Sequence, residues 1–348
     1  MRLSRRQLVN AAVLGSVALT VGSLGRSARG ANREVNLYTS RHYSTDEKLY
    51  ELFRQKTGIR VNWVQGNADE ILQRLRSEGA NSPADIFMTV DAARLWRAQN
   101  EGLFQPIQSE TLAKNIPESL RDPEGYWFGL TKRARVIMYN KDKVDPKELS
   151  TYEDLANPKW RGKVLTRSSS NVYSQSLTAS IILAHGIPET EKWARGLVAN
   201  FARPPEGGDI DQIKAVAAGV GDVALANTYY LARLIKSDQP EDRAVAAKIG
   251  VFFPNQKDRG THVNISGAGI LKTAPNKEAA IQFLEFLSGP EAQAIFAQSN
   301  NEYPVLRGAE IDSVVASFGT FKEDTINAAS IGRVTPEALK VMDRAGWR

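Results

Sequence analysis

From residue 34 onwards short apolar runs alternate with amphipathic stretches, and few folds satisfy that rhythm. EVNLYTS (34–40), RVNWVQ (60–65) and ADIFMTV (84–90) read as strands. DEKLYELFRQKTG, stopped by Gly58, then ADEILQRLRSEG and DAARLWRAQNEGL, ending near Gly102, carry helical spacing. Short strands separated by amphipathic helices form βαβ units on a mostly parallel sheet.

The middle of the chain changes character. WFGLTKRARVIMYN (127–140) is a strand-like stretch long enough to run between two lobes. Helical patterns follow at 172–185, 189–200 and 209–219, then a strand at DVALAN (222–227), a helix from Tyr229 and a strand at KIGVFFP. THVNISGAGILK (261–272) is a second candidate crossing, and NKEAAIQFLEFLSG and PEAQAIFAQSN read as helices, the latter opened by Pro290. A chain of 348 residues exceeds one ordinary core. The expected fold is therefore α/β, with two doubly wound lobes around a hinge and a central cleft. Residues 31–131 and 262–348 form the N-terminal lobe, and residues 132–261 the C-terminal lobe. Ligands of such sheets sit beyond the carboxyl ends of the strands, which here means the cleft.

Charge and cysteine usage narrow the setting. The net charge is +6, but residues 1–30 hold five arginines and no acidic residue, so the remainder carries only +1. That distribution argues against nucleic acid as a partner. MRLSRRQLVNAAVLGSVALTVGSLGRSARG has a basic start, a diluted apolar run and small residues at its end, and reads as an export signal. SRRQL is twin-arginine-like. Neither this run nor any later stretch matches a membrane span of about 20 strongly apolar residues. The absence of cysteine removes disulfides, thiolate metal sites and a lipoprotein anchor. The expected product is a monomer in a Gram-negative-type periplasm.

Tyrosine is the unusual element. Of the ten, Tyr43, Tyr173, Tyr229 and Tyr230 fall where strands hand over to helices. Adjacent residues normally point apart. With Tyr229 still leaving its strand and Tyr230 entering its helix, the two side chains can converge. Helix starts offer free N–H groups and a positive dipole end, which favour phenolate. The expected caps are Ser170 or Asn171 near Tyr173, and Asn227 or Thr228 near Tyr229. Phenolate oxygens suit a hard, highly charged cation. With no Cys and only three His, at 42, 185 and 262, zinc and copper fit poorly. His42, beside Tyr43, could add one nitrogen. Ionising a tyrosine at pH 7 costs roughly 4 kcal/mol and four cost on the order of 16, so only a strongly Lewis-acidic ion compensates. Four phenolates around Fe(III) leave one net negative charge, which suits the basic residues nearby: Arg41, Lys132, Arg133, Arg135 and Arg233. Arg133 and Arg233 are the strongest candidates for offsetting it. Phenolates favour Fe(III) without excluding Fe(II).

LYTSRHY, SPADIFMTVDAARLWRAQNEGLFQPI, NPKWRGKV, ANTYYLARL and HVNISGAGILK resemble the ferric-ion-binding periplasmic proteins of ABC iron importers, in particular their tyrosine-rich Fut-type branch. The likeness spans nearly all of residues 34–348. It implies a type II periplasmic binding protein with a transferrin-like cleft, in which Tyr43, Tyr173, Tyr229 and Tyr230 hold iron and His42, water or an anion completes the shell. It also implies delivery of the iron to an inner-membrane ABC permease. A second reading within the fold is an anion or thiamine-like solute receptor using RSSSN at a helix N-terminus as an oxyanion cradle. An enzyme is not expected: no GxSxG, HExxH, GxxxxGK[ST] or Ser-His-Asp order appears.

Overall fold

A computed structural model describes residues 34–41 and 43–348. The expected export signal (residues 1–30) and His42 lie outside the described residues.

The first half of the chain sets down β1 (Glu34–Thr39), α1 (Asp46–Thr57), β2 (Arg60–Gln65), α2 (Ala68–Glu78), β3 (Ile86–Val90), α3 (Ala92–Asn100) and α4 (Glu110–Asn115). The long β4 (Phe128–Asn140) leads to β5 (Val164–Leu165), α5 (Val172–His185), α6 (Ile187–Ala199), α7 (Asp209–Ala217), β6 (Val223–Asn227), α8 (Thr228–Ile235), α9 (Pro240–Ala247) and β7 (Ile249–Phe252). Then come β8 (Val263–Ile270), α10 (Lys277–Ser288), α11 (Pro290–Asn300), β9 (Tyr303–Pro304), α12 (Ser313–Ala316) and α13 (Ala328–Arg344).

The local chemistry explains most boundaries. Asn67 closes a capping box with Glu70 at the start of α2, Asp91 caps α3, and Asn171 caps α5. Gly58 ends α1 in the left-handed conformation, at φ 72°. Pro290 occupies the first turn of α11.

The strands order as β2-β1-β3-β8-β4-β6-β5, with β7 and β9 also on β4. β1 runs parallel to β2 and β3, and β5 parallel to β6. β4 belongs to both halves. Its residues 128–134 pair with β8, and its residues 135–140 pair with β6 and β7, all antiparallel. The expected crossing strand is thus a single continuous ribbon, and alternate residues along it face opposite sides. At the changeover Arg135 N–H donates to the His262 carbonyl at 3.0 Å. The Tyr152 hydroxyl donates to the Arg135 carbonyl and accepts from the His262 N–H at 3.1 Å, tying both connections together.

Two apolar clusters hold the layers. The larger runs from Val35, Leu37 and Phe53 through Phe283 to Ile213 and Leu231. The smaller contains Trp160, Leu177, Trp193 and Leu197, and α13 enters it with Val341, Met342 and the flanking Trp347. α13 also crosses α3, where Gly332 allows the close approach: a Cβ there would lie 2.5 Å from the Trp96 Cβ. Among the described residues no helix is long and apolar enough to cross a membrane.

Candidate metal centre

Tyr43 follows the carboxyl end of β1, just before α1. Tyr173 is in the first turn of α5, its N–H donating to Asn171 Oδ1 at 3.1 Å. Tyr229 and Tyr230 are both helical, because α8 already starts at Thr228. The expected mixed strand–helix geometry for that pair is therefore not what brings them together. Their rings instead lie against each other, with centroids 4.1 Å apart and planes inclined by 34°. Asn227 takes the cap position but forms no cap bond with its side chain, whose Oδ1 accepts from Arg135 Nη1 at 3.2 Å.

Three elements thus converge. The Tyr173 and Tyr229 hydroxyl oxygens are 3.4 Å apart. The Arg233 guanidinium lies 5.0 Å from the ring centre of Tyr43, 5.3 Å from that of Tyr229 and 5.8 Å from that of Tyr230. Arg233 sits one helical turn after Tyr229, so an i,i+4 relation places it over the pair.

The set of cations differs from the one the sequence suggests: Arg167 joins it and Lys132 leaves it. Arg133, Arg135 and Arg167 all sit 5.8 Å from the Tyr173 ring centre, and Arg41 sits 4.6 Å from that of Tyr43. Lys132 does not join them. It lies on the opposite face of β4 from Arg133 and Arg135, and its Nζ pairs with Glu323 at 2.6 Å. Three buried carboxylates balance the arginines. Asp46 and Glu302 hold Arg41 at 2.8 and 3.0 Å, and Asp209 holds Arg135 and Arg167 at 2.6 and 3.2 Å. Glu302 and Asp209 lie far along the chain from the tyrosines they serve, whereas Asp46 and Arg167 lie three and six residues from Tyr43 and Tyr173, with Arg167 falling in the RSSSN segment.

The hydroxyls of Tyr43, Tyr229 and Tyr230 resist ionisation while no cation is present. Burial pushes the Tyr43 phenol up, and Glu302 adds to it, while Arg41, Arg233 and Arg133 pull it back. Burial likewise raises Tyr229, reinforced by Tyr173, Tyr43 and Tyr230. Tyr230 is raised by burial, then by Tyr173 and Asp209. A cation entering here has to displace those protons.

The remaining histidines are committed elsewhere. His185 ends α5 and pairs with Glu153 at 3.0 Å. Burial, with Arg135 and Arg259, lowers His262 to about 3, so it is neutral. The serines of the 168–171 segment bond to one another, Ser168 and Ser170 hydroxyls being 3.0 Å apart. Among the described residues there is no group of three or more His, Cys, Asp or Glu that could hold a metal.

Residues 81–319 match the model of the bacterial extracellular solute-binding proteins. The chain belongs to that family. It is 58% identical to iron uptake protein A1 of Synechocystis sp. over 319 residues, covering 92% of this chain and 89% of that one. The FutA protein of Trichodesmium, solved in complex with iron and citrate, superposes with a TM-score of 0.89 at 62% identity, covering 90% of this chain and all of that one. The ferric binding protein of Campylobacter jejuni superposes with a TM-score of 0.85 at 44% identity, covering 90% of this chain and all of that one. The architecture is accordingly the type II periplasmic binding protein fold.

Proposed function

We propose that this protein captures ferric iron between the two halves of its sheet and delivers it to an ABC permease of the inner membrane. The observation that carries this reading is the meeting of Tyr173 and Tyr229 hydroxyls 3.4 Å apart under cationic cover. Tyr43, Tyr173, Tyr229 and Tyr230 supply the oxygens, with His42, water or an anion completing the shell. Arg133 and Arg233 offset the charge of the phenolates. Residues 31–131 and 262–348 form one lobe and residues 132–261 the other, hinged where β4 changes partners, with α13 lying over onto the second core. The protein acts as a monomeric periplasmic receptor, exported through its twin-arginine-like signal, and not as an enzyme. The names of its relatives, all iron uptake or ferric binding proteins among those most similar, support the cargo.

Adding ferric nitrilotriacetate to iron-free protein at neutral pH tests the reading. A visible phenolate-to-iron charge-transfer band should grow to a one-to-one endpoint. A protein that stays colourless overturns it.

A further inference from the structure

Glu302 lies in the loop between α11 and β9 and is fully buried. Its Oε2 accepts from Arg41 Nη2 at 3.0 Å, and its Oε1 accepts from Ser266 Oγ at 3.4 Å and lies 4.0 Å from Arg133 Nη1. The Ser266 oxygen in turn accepts from both terminal nitrogens of Arg133, at 3.1 and 3.2 Å. One carboxylate therefore grips the two guanidiniums that lie over Tyr43 and Tyr173. Withdrawing a carboxylate from water is unfavourable even when it is paired. Here the pairing falls on cations that a loaded site would otherwise use in full.

We propose that Glu302 is a positioning residue that holds ferric affinity below what the tyrosine cluster alone reaches, by confining Arg41 and Arg133 and adding negative charge beside Tyr43. The inference rests on the ferric reading above. The direction follows from charge. Each phenol that binds Fe(III) releases its proton, so four phenolates around Fe(III) carry one net negative charge where four phenols carry none. Loading thus adds negative charge to a buried region, so a neighbouring carboxylate opposes it and a guanidinium favours it. A purely structural Glu302 predicts the reverse, because breaking a buried ion pair disorders the groups it held. A receptor that must surrender its cargo has a use for such a ceiling.

The test is competition against nitrilotriacetate at one neutral pH, read on the visible band, with full-length wild type, Glu302→Gln and Glu302→Asp. The neutral Gln variant should bind ferric iron about tenfold more tightly or better, one unit of charge beside a buried site being worth that much. The Asp variant keeps the charge and should stay near wild type. A folded Glu302→Gln protein with unchanged or weaker affinity overturns the proposal. Should that variant not fold, Asp46→Asn removes the other buried carboxylate on Arg41 and carries the same expected sign; weaker binding there is equally fatal. A wild-type protein that takes up no iron sinks the ferric reading itself, whereas one that binds while its Gln variant binds less removes only the role given to Glu302.

Discussion

Tyr173 and Tyr229 differ from Tyr38 and Tyr152 in what their hydroxyls meet. The hydroxyl of Tyr38 donates to Glu78 at 2.9 Å and that of Tyr152 to the Arg135 carbonyl, whereas those of Tyr173 and Tyr229 meet each other beneath arginines. Tyr173→Phe should weaken ferric binding at least about 100-fold, since even outer-shell losses cost up to that, and should diminish the visible band. Tyr126→Phe, remote from the cluster, should leave both unchanged; an absorbance titration compares them. His262 yields a second outcome. Its folded value of about 3 lies below the ordinary 6.5, so the unfolded chain binds the extra proton first. Its contribution to stability is whole above about 6.5 and drains away as pH falls towards 3. Iron-free protein should therefore melt at lower temperature as pH drops through that window, and His262→Gln should flatten the dependence in a calorimetric series. At this scale the sequence was informative where donors sit at strand-to-helix junctions, as Tyr43, Tyr173, Tyr229 and Tyr230 do. It was silent on Glu302, which meets Arg41 across 261 residues of chain through contacts that no local pattern encodes.

Among the elements, the alternating pattern placed β1 to β3, α1 to α3, α5, β6 and α11 close to their observed limits, because caps and periodicity act within a few residues. α13 escaped it. Pro336 lies inside that helix, where proline removes one backbone donor and crowds the preceding turn, which local propensity disfavours. Tertiary packing decides the matter: α13 is held by α5, α3 and α6, with Gly332 at the crossing with α3. Gly332→Ala should destabilise the protein by about 1–3 kcal/mol through overpacking, measured by urea unfolding. The crossing of β4 depends on a single side chain as well. Tyr152→Phe leaves the buried His262 N–H without its acceptor and the Arg135 carbonyl without one donor, which should cost about 1–3 kcal/mol in the same assay.

Across the whole molecule, Asp91 ties β8 and the start of α3 to α5. It adopts φ 80°, is fully buried, caps α3, and accepts from Ser176 Oγ on α5 at 2.7 Å and from Asn264 Nδ2 at 2.7 Å. Ser176→Ala removes the one of these bonds that reaches α5. The iron-free variant should show a larger radius of gyration than wild type by small-angle scattering, and an unchanged radius would mean that this contact does not restrain opening.

β4 has a different kind of consequence. Its thirteen residues form ladders with β8 and β9 on one side of the changeover and with β6 and β7 on the other. Neither half of the sheet is complete without that ribbon, so the molecule has no seam for cutting. Calorimetry should find one cooperative transition, not two. The same architecture restricts inheritance: a lobe of this receptor cannot be traded as a module for one with another appetite, and changes of cargo have to arise by substitution within the walls already present.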